Sequence, residues 1–161
     1  MSYFEMFPLV NYKFIDSTKT VTNITKRTAI SNKYKNDSSL YFVYDISDSD
    51  TPETLANNLY GSPDKDWIIY HMNDMINPFT AWPVNASTLF NIVSAKYDDP
   101  DGIHHYEDSD KNWVNSNAVG AIPITNYAYE DRLNDDKRKI KILLPEYAEK
   151  LEIELYTLLN T

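Results

Sequence analysis

The sequence predicts an α+β protein whose centre is a strand followed by two helices, extended by a third helix, a β-hairpin, a terminal strand and helix, and an N-terminal arm. Two kinds of pattern predict this class. Short segments rich in β-branched and aromatic residues occur within residues 40–46, 103–124 and 137–144. Apolar residues recur at helical spacing within residues 53–60, 64–72, 87–97 and 146–159. With 161 residues, of which 42% are hydrophobic, the chain is long enough for one principal core.

Composition excludes several kinds of chemistry. The absence of cysteine removes disulfides, thiol catalysis and cysteine-ligated metals. The formal net charge of −9 opposes a phosphate backbone, which argues against general binding to nucleic acid or anionic membranes. We find no leader-like start and no run of 18 apolar residues, so we expect a soluble chain that is not exported and that binds proteins.

Residues 1–39 are predicted to form an N-terminal arm. Their aromatic residues are mixed with Thr, Asn, Ser and Lys and show no sustained helical period. Val10–Ile15 and Thr20–Thr25 are typical of two strands of a loose hairpin, with a polar turn at Asp16–Lys19 between them. Such an arm has little core of its own, so its apolar side chains are expected to need another surface.

Residues 40–84 are predicted to form the central strand and helices. The strand covers Leu40–Ile46, and Pro52 then favours the first turn of a helix that Gly61 ends. Pro63 starts a second helix, whose apolar face includes Trp67. Two prolines make residues 77–83 a rigid aromatic connector, which we expect to pack under the helices.

Residues 85–136 are predicted to add a helix and a β-hairpin. Asn85 or Ser87 caps the helix, in which Leu89, Val93 and Tyr97 recur at four-residue spacing. Residues 103–129 have a β-like pattern, and residues 130–136 read as an acidic link.

Residues 137–161 are predicted to form a terminal strand and helix. Basic and aliphatic residues alternate in 137–144, which favours an exposed edge strand. Leu151, Leu155, Leu158 and Leu159 line one side of the helix. Core packing and docking on a partner explain this stripe equally well.

A motif within residues 41–61 resembles the first half of a LysM module, in which a strand leads through Gly-Asp-Thr into a helix that ends in Tyr-Gly. Asp50, Thr51, Tyr60 and Gly61 match this motif, whereas Ser49 stands where the module has glycine. The continuation through Ser62-Pro63, Trp67, Asn73, Asn77-Pro78-Phe79 and Trp82-Pro83 is more specific. It resembles the LysM-like baseplate wedge subunit of T-even-type contractile-tailed phages, the gene product 53 family.

Both ends of the chain also resemble that family. The similar segments are Tyr3–Pro8, Ile24–Arg27 and Leu133–Ile142, so the resemblance covers nearly the whole chain. It implies a structural virion protein of the tail baseplate, with no enzymatic activity, cofactor or metal, assembled in the host cytoplasm. It further implies that six copies surround the tail tube and join neighbouring wedges through wedge core subunits and a sheath-initiator-like subunit.

Eight residues are expected to form the subunit interface. They are apolar or basic residues of the arm, the terminal strand and the terminal helix: Phe4, Phe7, Tyr12, Arg138, Ile140, Ile142, Leu155 and Leu158. In particular, the strand from Arg138 to Ile142 is a candidate for pairing with the sheet of another chain.

A peptidoglycan-binding LysM module that assists a cell-wall hydrolase is the alternative function. Trp67, Phe79 and Trp82 would then form a platform on which sugars stack, whereas the structural interpretation places them in packing contacts. The single copy of the motif, the altered glycine position and the lack of a leader favour the baseplate function.

Two charged segments have both a chemical and a structural interpretation. His104 and His105, close to Glu107 and Asp108, suggest a divalent metal site, but neighbouring strand residues point to opposite faces. We therefore favour ordinary strand histidines beside a solvated turn. Basic residues 137–141 suggest a phosphate-binding patch, but the acidic surroundings favour an exposed strand face or salt links to a neighbouring subunit.

Overall fold

The structure is a computed structural model that describes residues 2–27 and 29–161, and it confirms the mixed α+β class. The strands are β1 (Leu9–Phe14), β2 (Ser17–Thr22), β3 (Tyr41–Asp45), β4 (Ile103–Glu107), β5 (Trp113–Val114), β6 (Ile122–Thr125) and β7 (Lys139–Leu143). The helices are α1 (Asn32–Asn36), α2 (Pro52–Tyr60), α3 (Asp66–Met72), α4 (Pro78–Ala81), α5 (Ala86–Lys96), α6 (Asn126–Asp135) and α7 (Pro145–Asn160). Short 3₁₀ turns cover Tyr3–Met6 and Pro63–Lys65.

The chain divides into two compact units. The first contains Met1–Asp45, Ser49–Pro78 and Ile140–Thr161, and the second contains Ile46–Asp48 and Phe79–Lys139. The described residues form three small sheets, with strand orders β1–β2, β3–β7 and β5–β4–β6. In the part of the chain that the structure covers, none of the helices has the length and apolar character needed to cross a membrane.

The arm of the first unit begins with an antiparallel hairpin of β1 and β2. Phe14 pairs with Ser17, so the turn consists of Ile15 and Asp16 only. The second strand therefore begins three residues earlier than the sequence predicts, because Ser17–Lys19 extend β2 instead of forming the turn. Ile15 adopts a φ of 49°, a left-handed conformation that a β-branched residue rarely takes.

The core of the first unit lies between α3, α7 and the segments that lead into them. Its buried residues come from the arm, from α3 and β7, and from one face of α7: Met6, Phe7, Ile30, Tyr34, Trp67, Ile68, Met72, Leu143, Ala148, Leu151, Leu155 and Leu159. The spacing of Leu151, Leu155 and Leu159 follows the helical period, which explains why they share the buried face. Core packing thus accounts for these leucines, whereas Leu158 is exposed.

Local signals set the bounds of α2 as predicted. The Thr51 hydroxyl accepts a hydrogen bond from Thr54 N at 3.2 Å, and Pro52 occupies the first helical position. Gly61 ends the helix with a φ of 72°, a conformation that glycine adopts without strain.

Strand β7 differs from its prediction, because its aliphatic residues face the interior. Ile140 and Ile142 are buried, and only Lys139 of this strand is classed as exposed. The alternation of basic and aliphatic residues thus marks one solvent-facing and one buried face, as period-two geometry requires. The expectation that Ile140 and Ile142 are presented to another chain is wrong.

The second unit contains α5, α6 and the three-stranded antiparallel sheet. Asn85 caps α5 by accepting a hydrogen bond from Thr88 N at 2.9 Å, which confirms one of the two predicted caps. Residues 126–135 form α6 instead of the predicted strand end and polar link, because Thr125 caps Ala128 N at 3.1 Å and starts a helix. The connector near Pro78 likewise contains the short helix α4, and Phe79 there is almost fully exposed instead of packed under the helices.

Candidate subunit interface

The eight predicted interface residues separate into an exposed and a buried group. Phe4, Tyr12 and Leu158 are exposed and remain candidates. Four others are buried within the chain, in the first unit: Phe7, Ile140, Ile142 and Leu155. Leu155 faces the core because it lies on the buried face of α7. The centre of the Phe7 ring lies 5.0 Å from the centre of the Tyr3 ring. Their expected role in partner contact is therefore corrected to a role in core packing.

The eighth residue, Arg138, is held by contacts within the second unit. Its guanidinium bonds to Asp48 at 2.7 Å, to Asp135 at 3.1 Å and to the Ile46 carbonyl at 3.0 Å. These acidic partners raise the pKa of Arg138, which stays charged. The residue thus fastens two segments of its own unit.

The outer edge of β7 is closed by two side chains. Lys141 N donates to Asn73 Oδ1 at 2.7 Å, and Asn73 Nδ2 donates to Lys141 O at 2.8 Å. Two residues further, the Tyr60 hydroxyl donates to Leu143 O at 3.0 Å. Alternate residues of a strand turn their backbone groups to the same edge, so Lys141 and Leu143 mark the edge away from β3. A partner strand therefore finds these positions of β7 occupied.

This arrangement gives a structural role to two motif residues. The Asn73 carboxamide makes the two hydrogen bonds that the backbone of a neighbouring strand would make. Its Nδ2 also donates to Ile69 O at 2.9 Å, which ties the end of α3 to β7. Burial raises the pKa of Tyr60, so its hydroxyl keeps the proton that it donates. Tyr60, Gly61 and Asn73 thus join α2 and α3 to β7.

The remaining motif residues also lie in structural positions. Asp50 accepts a hydrogen bond from the Tyr44 hydroxyl at 2.9 Å, and this bond raises the pKa of Tyr44. Trp67 is buried, with its ring 5.8 Å from that of Tyr3, and its Nε1 has no hydrogen-bond partner among the described atoms. A buried ring offers no face to a sugar, so Trp67 does not fit the glycan platform. Trp82 is half-buried in the second unit.

The hairpin is the most exposed part of the first unit. Every residue of β1 is exposed, with Tyr12 at 58% and Phe14 at 52%. The register places Val10 opposite Val21 and Tyr12 opposite Lys19, so these residues and Phe14 lie on one face. We call this the hairpin face; it consists of Val10, Tyr12, Phe14, Lys19 and Val21. The Lys19 ammonium lies 5.9 Å from the centre of the Phe14 ring.

A second apolar surface is a cleft of about 560 Å³ beside the N-terminal turn. The residues that line it are Tyr3, Phe4, Phe7, Ile24, Lys26, Arg27, Ala29, Ile30, Lys35, Tyr70, His71, Asp74, Met75 and Ile76. Phe4 stands exposed at this cleft, whereas His71 Nδ1 donates a hydrogen bond to the Trp67 carbonyl at 2.9 Å. Burial lowers the pKa of His71, so its neutral form is favoured.

The arm is anchored to α7 behind the hairpin. Lys33 Nζ lies 3.1 Å and the Tyr34 hydroxyl 2.9 Å from Glu154 Oε2. The bond from Lys33 is the main cause that lowers the pKa of Glu154. Burial, together with the neighbouring carboxylate, raises the pKa of Tyr34 to about 12. The segment that follows the hairpin in the chain is therefore held to α7 through Lys33 and Tyr34.

The second unit contains a histidine network that the sequence analysis did not foresee. A register irregularity between Ile103 and His105 interrupts the alternation of β4. The Nδ1 atoms of His104 and His105 consequently lie 2.8 Å apart, which corrects the expectation that the two rings point to opposite faces. His104 stacks on Tyr129 and His105 on Trp113, with centroid distances of 4.0 and 4.1 Å.

Glu107 orients this network. Its Oε1 bonds to His105 Nε2 at 2.8 Å and to Arg132 Nη1 at 2.6 Å. The hydrogen bond from Arg132 is the main cause that lowers the pKa of Glu107. Because a carboxylate oxygen accepts, His105 Nε2 is the donor in its bond to Glu107. No cluster of three or more histidine and acidic side chains in the described residues has a geometry that holds a metal ion.

Some of these features left a signal in the sequence and others did not. The hairpin face could be found from the alternation of Val10, Tyr12 and Phe14 with Asn11 and Lys13. The contact between Asn73 and Lys141 joins residues 68 positions apart, and neither residue has a local pattern that predicts it. The register irregularity before His105 also has no local sequence signal, because it depends on how β4 pairs with β6.

Comparison with known proteins identifies relatives across most of the chain. The model of the family described as base plate wedge protein 53 matches residues 3–140. Baseplate wedge protein gp53 of Enterobacteria phage T4 is 28% identical over 92 residues, which are 55% of this chain and 47% of that protein. The aligned part thus spans about half the length of the curated relative.

Proposed function

Because the chain belongs to the base plate wedge protein 53 family, we propose that it is an architectural subunit that joins neighbouring wedges of a contractile tail baseplate. The observation that carries this proposal is the family match over residues 3–140, which includes both the arm and the central elements. The role requires surfaces for other proteins and no reaction chemistry. It places the chain in the virion tail after assembly in the host cytoplasm, with six copies in each baseplate.

The exposed apolar residues support this role. Large hydrophobic side chains on the hairpin, on the connector and on the outer face of α7 remain in solvent, among them Tyr12, Ile76 and Leu158. Exposed apolar residues concentrated on projecting elements are typical of surfaces that other chains cover. Wedge core subunits and a sheath-initiator-like subunit are the partners that we propose for them.

The central elements are proposed to act as a LysM-like scaffold that presents these surfaces. Strand β3 leads into α2 and α3, and the side chains of Tyr60 and Asn73 fix both helices to β7. The scaffold therefore holds the base of the arm and the outer face of α7 on one rigid framework. Nothing in its geometry favours sugar binding, because the Trp67 ring is buried.

Co-expression of this chain with the neighbouring tail genes tests the proposal. The chain carries an affinity tag, and the captured complex is weighed by native mass spectrometry. We expect wedge subunits in a fixed ratio to the chain, and we expect Tyr12→Asp or Leu158→Asp to lower that ratio at least tenfold. Val119→Asp is the matched control, because Val119 is fully exposed in the second unit.

The outcome tests the architectural role and the assigned contact residues separately. If no tail subunit is captured by the unmodified chain, the architectural role is wrong. If capture is normal and both substitutions leave it unchanged, the role stands and the assigned contact residues are wrong. Circular dichroism of each purified variant shows that it remains folded.

A further inference from the structure

Two sheets in the first unit have edges along which a strand can add. In the described residues, β1 and β2 pair only with each other, and β3 pairs only with β7. The outer edge of β7 is closed at Lys141 and Leu143, so β3 provides the open edge of its sheet. A two-stranded hairpin is marginally stable alone and gains from further pairing.

Strand β3 lacks the usual protection of an edge. Its sequence Tyr41–Asp45 contains no proline and no lysine, and every residue but the last has high β propensity. Val43, at the middle of the strand, is 66% exposed. Its backbone groups point to the open edge, because hydrogen bonds from Ile46 N to Arg138 O and from Leu144 N to Leu40 O assign the even-numbered residues to β7.

The charges of the arm and of the remaining chain are opposite. Residues 1–39 contain six Lys or Arg and three Asp or Glu, whereas residues 40–161 contain nine and twenty-one. The arm thus carries a formal charge of +3 and the remainder carries −12. On the hairpin, Lys13 and Lys19 are exposed, and Asp45, the last residue of β3, is an exposed acid. Such a division of charge favours contact between the arm of one molecule and the body of another.

We propose that the hairpin β1–β2 of one copy of this chain adds to the open edge of β3 in a second copy. Backbone pairing along β3 supplies the affinity, the hairpin face covers Val43, and Lys19 on that face approaches Asp45, which shares a face of β3 with Val43. We assign the position to a second copy because the exposed hairpin lysines complement Asp45, and because, in the described residues, the hairpin pairs with no part of β3 in its own chain. Since the two contacting surfaces differ, repetition of the contact produces a ring or a linear chain of copies.

This inference goes beyond the role in the wedge, because it concerns the purified chain alone. Sedimentation velocity over a concentration series is expected to show self-association that weakens as salt rises from about 0.05 to 0.5 M. Lys13→Glu combined with Lys19→Glu is expected to weaken the association at least tenfold. Lys137→Glu combined with Lys150→Glu is the matched control, since it changes the net charge equally at exposed positions outside the arm.

Cross-linking then tests the pairing itself, and the absence of native cysteine makes each label unique. Ser17→Cys protein, labelled on the side of Phe14 and the hairpin face, is mixed with Val43→Cys protein under mild oxidation, and a disulfide-linked dimer is expected. Val119→Cys replaces Val43→Cys as the control, because it places the same new side chain at an exposed position of the second unit.

Three results would overturn the proposal. The unmodified chain remains monomeric at every concentration, or the charge control weakens association as much as the hairpin variant does. Alternatively, Ser17→Cys links to Val119→Cys as readily as to Val43→Cys. A monomeric chain that still captures wedge subunits would assign the hairpin to another protein, so failure here is distinct from failure of the architectural role.

Discussion

The hairpin β1–β2 and the sheet β3–β7 are both two-stranded, and both contain a strand in which basic or polar residues alternate with apolar ones. In β1, Val10, Tyr12 and Phe14 remain in solvent. In β7, Ile140 and Ile142 are buried. The difference teaches that alternation identifies a strand with two unlike faces, but does not show whether its apolar face is covered.

The cover comes from elements distant in sequence. Residues of α3 and α7 form the core that includes Leu143 of β7, and the side chains of Asn73 and Tyr60 close its edge. The hairpin has no comparable set of buried neighbours, and its strands are exposed almost throughout. The same alternation therefore belongs to a strand whose apolar residues are buried in one sheet and to a strand whose apolar residues are exposed in the other.

The largest expected effect concerns the covered strand. Ile142→Ala removes buried methyl groups and leaves a cavity, which should lower the free energy of unfolding by about 2–5 kcal/mol. Phe14→Ala in the hairpin is the control and should change it by less than about 1 kcal/mol, since Phe14 is half exposed. Urea denaturation followed by circular dichroism measures both. Equal effects would show that the hairpin is buried as deeply as β7.

An intermediate effect is expected at the closed edge. Asn73→Ala leaves the backbone N–H and carbonyl of Lys141 without their partner and should cost about 1–3 kcal/mol. Asn58→Ala is the matched control, because Asn58 lies exposed on α2. Hydrogen exchange should also become faster at the Lys141 amide. An unchanged rate there would mean that another group protects this amide.

The smallest effect is expected where the arm is anchored. Glu154→Gln weakens the contacts to Lys33 and Tyr34 at a partly exposed position, so its cost should stay below about 1 kcal/mol. The lowered pKa of Glu154 means that the unfolded state binds its proton first as pH falls.

The pH dependence gives this prediction its sign. The stabilisation from Glu154 is complete above the ordinary glutamate pKa of about 4.3 and is lost as pH falls through the lowered folded-state value. Thermal unfolding of the two proteins should therefore differ at pH 7 and converge near pH 2–3. A difference that persists at the lowest pH would show that the carboxylate charge does not cause it.

Local signals allowed much of the fold to be predicted from the sequence. Thr51, Pro52 and Gly61 set the bounds of α2, Asn85 caps α5, and the leucine spacing of α7 predicts its apolar face, although not what covers it. Each of these signals acts within a few residues, so it is visible without tertiary structure. The hairpin was predicted for the same reason, although its turn is shorter than expected.

The errors share a different cause. Helix α6 begins at a Thr125 cap directly after β6, and its polar composition resembles a linker. The pairing of His104 with His105 depends on an irregularity in β4, and the burial of Ile140 and Ile142 depends on contacts with distant helices. Of the candidate interface, Phe4, Tyr12 and Leu158 remain predictions because they are exposed, a property that the sequence pattern does not show.

Because Asn73 and Tyr60 occupy the outer edge of β7, the sheet has a valence of one: it can pair with one further strand, along β3. A further strand can pair along β3 but not at Lys141 and Leu143, whose backbone groups are already bonded, so each molecule has one acceptor position at this sheet. An acceptor of valence one cannot branch. Copies linked through it form a row or a closed ring and not a branched network, and of these two only the closed ring limits the number of copies.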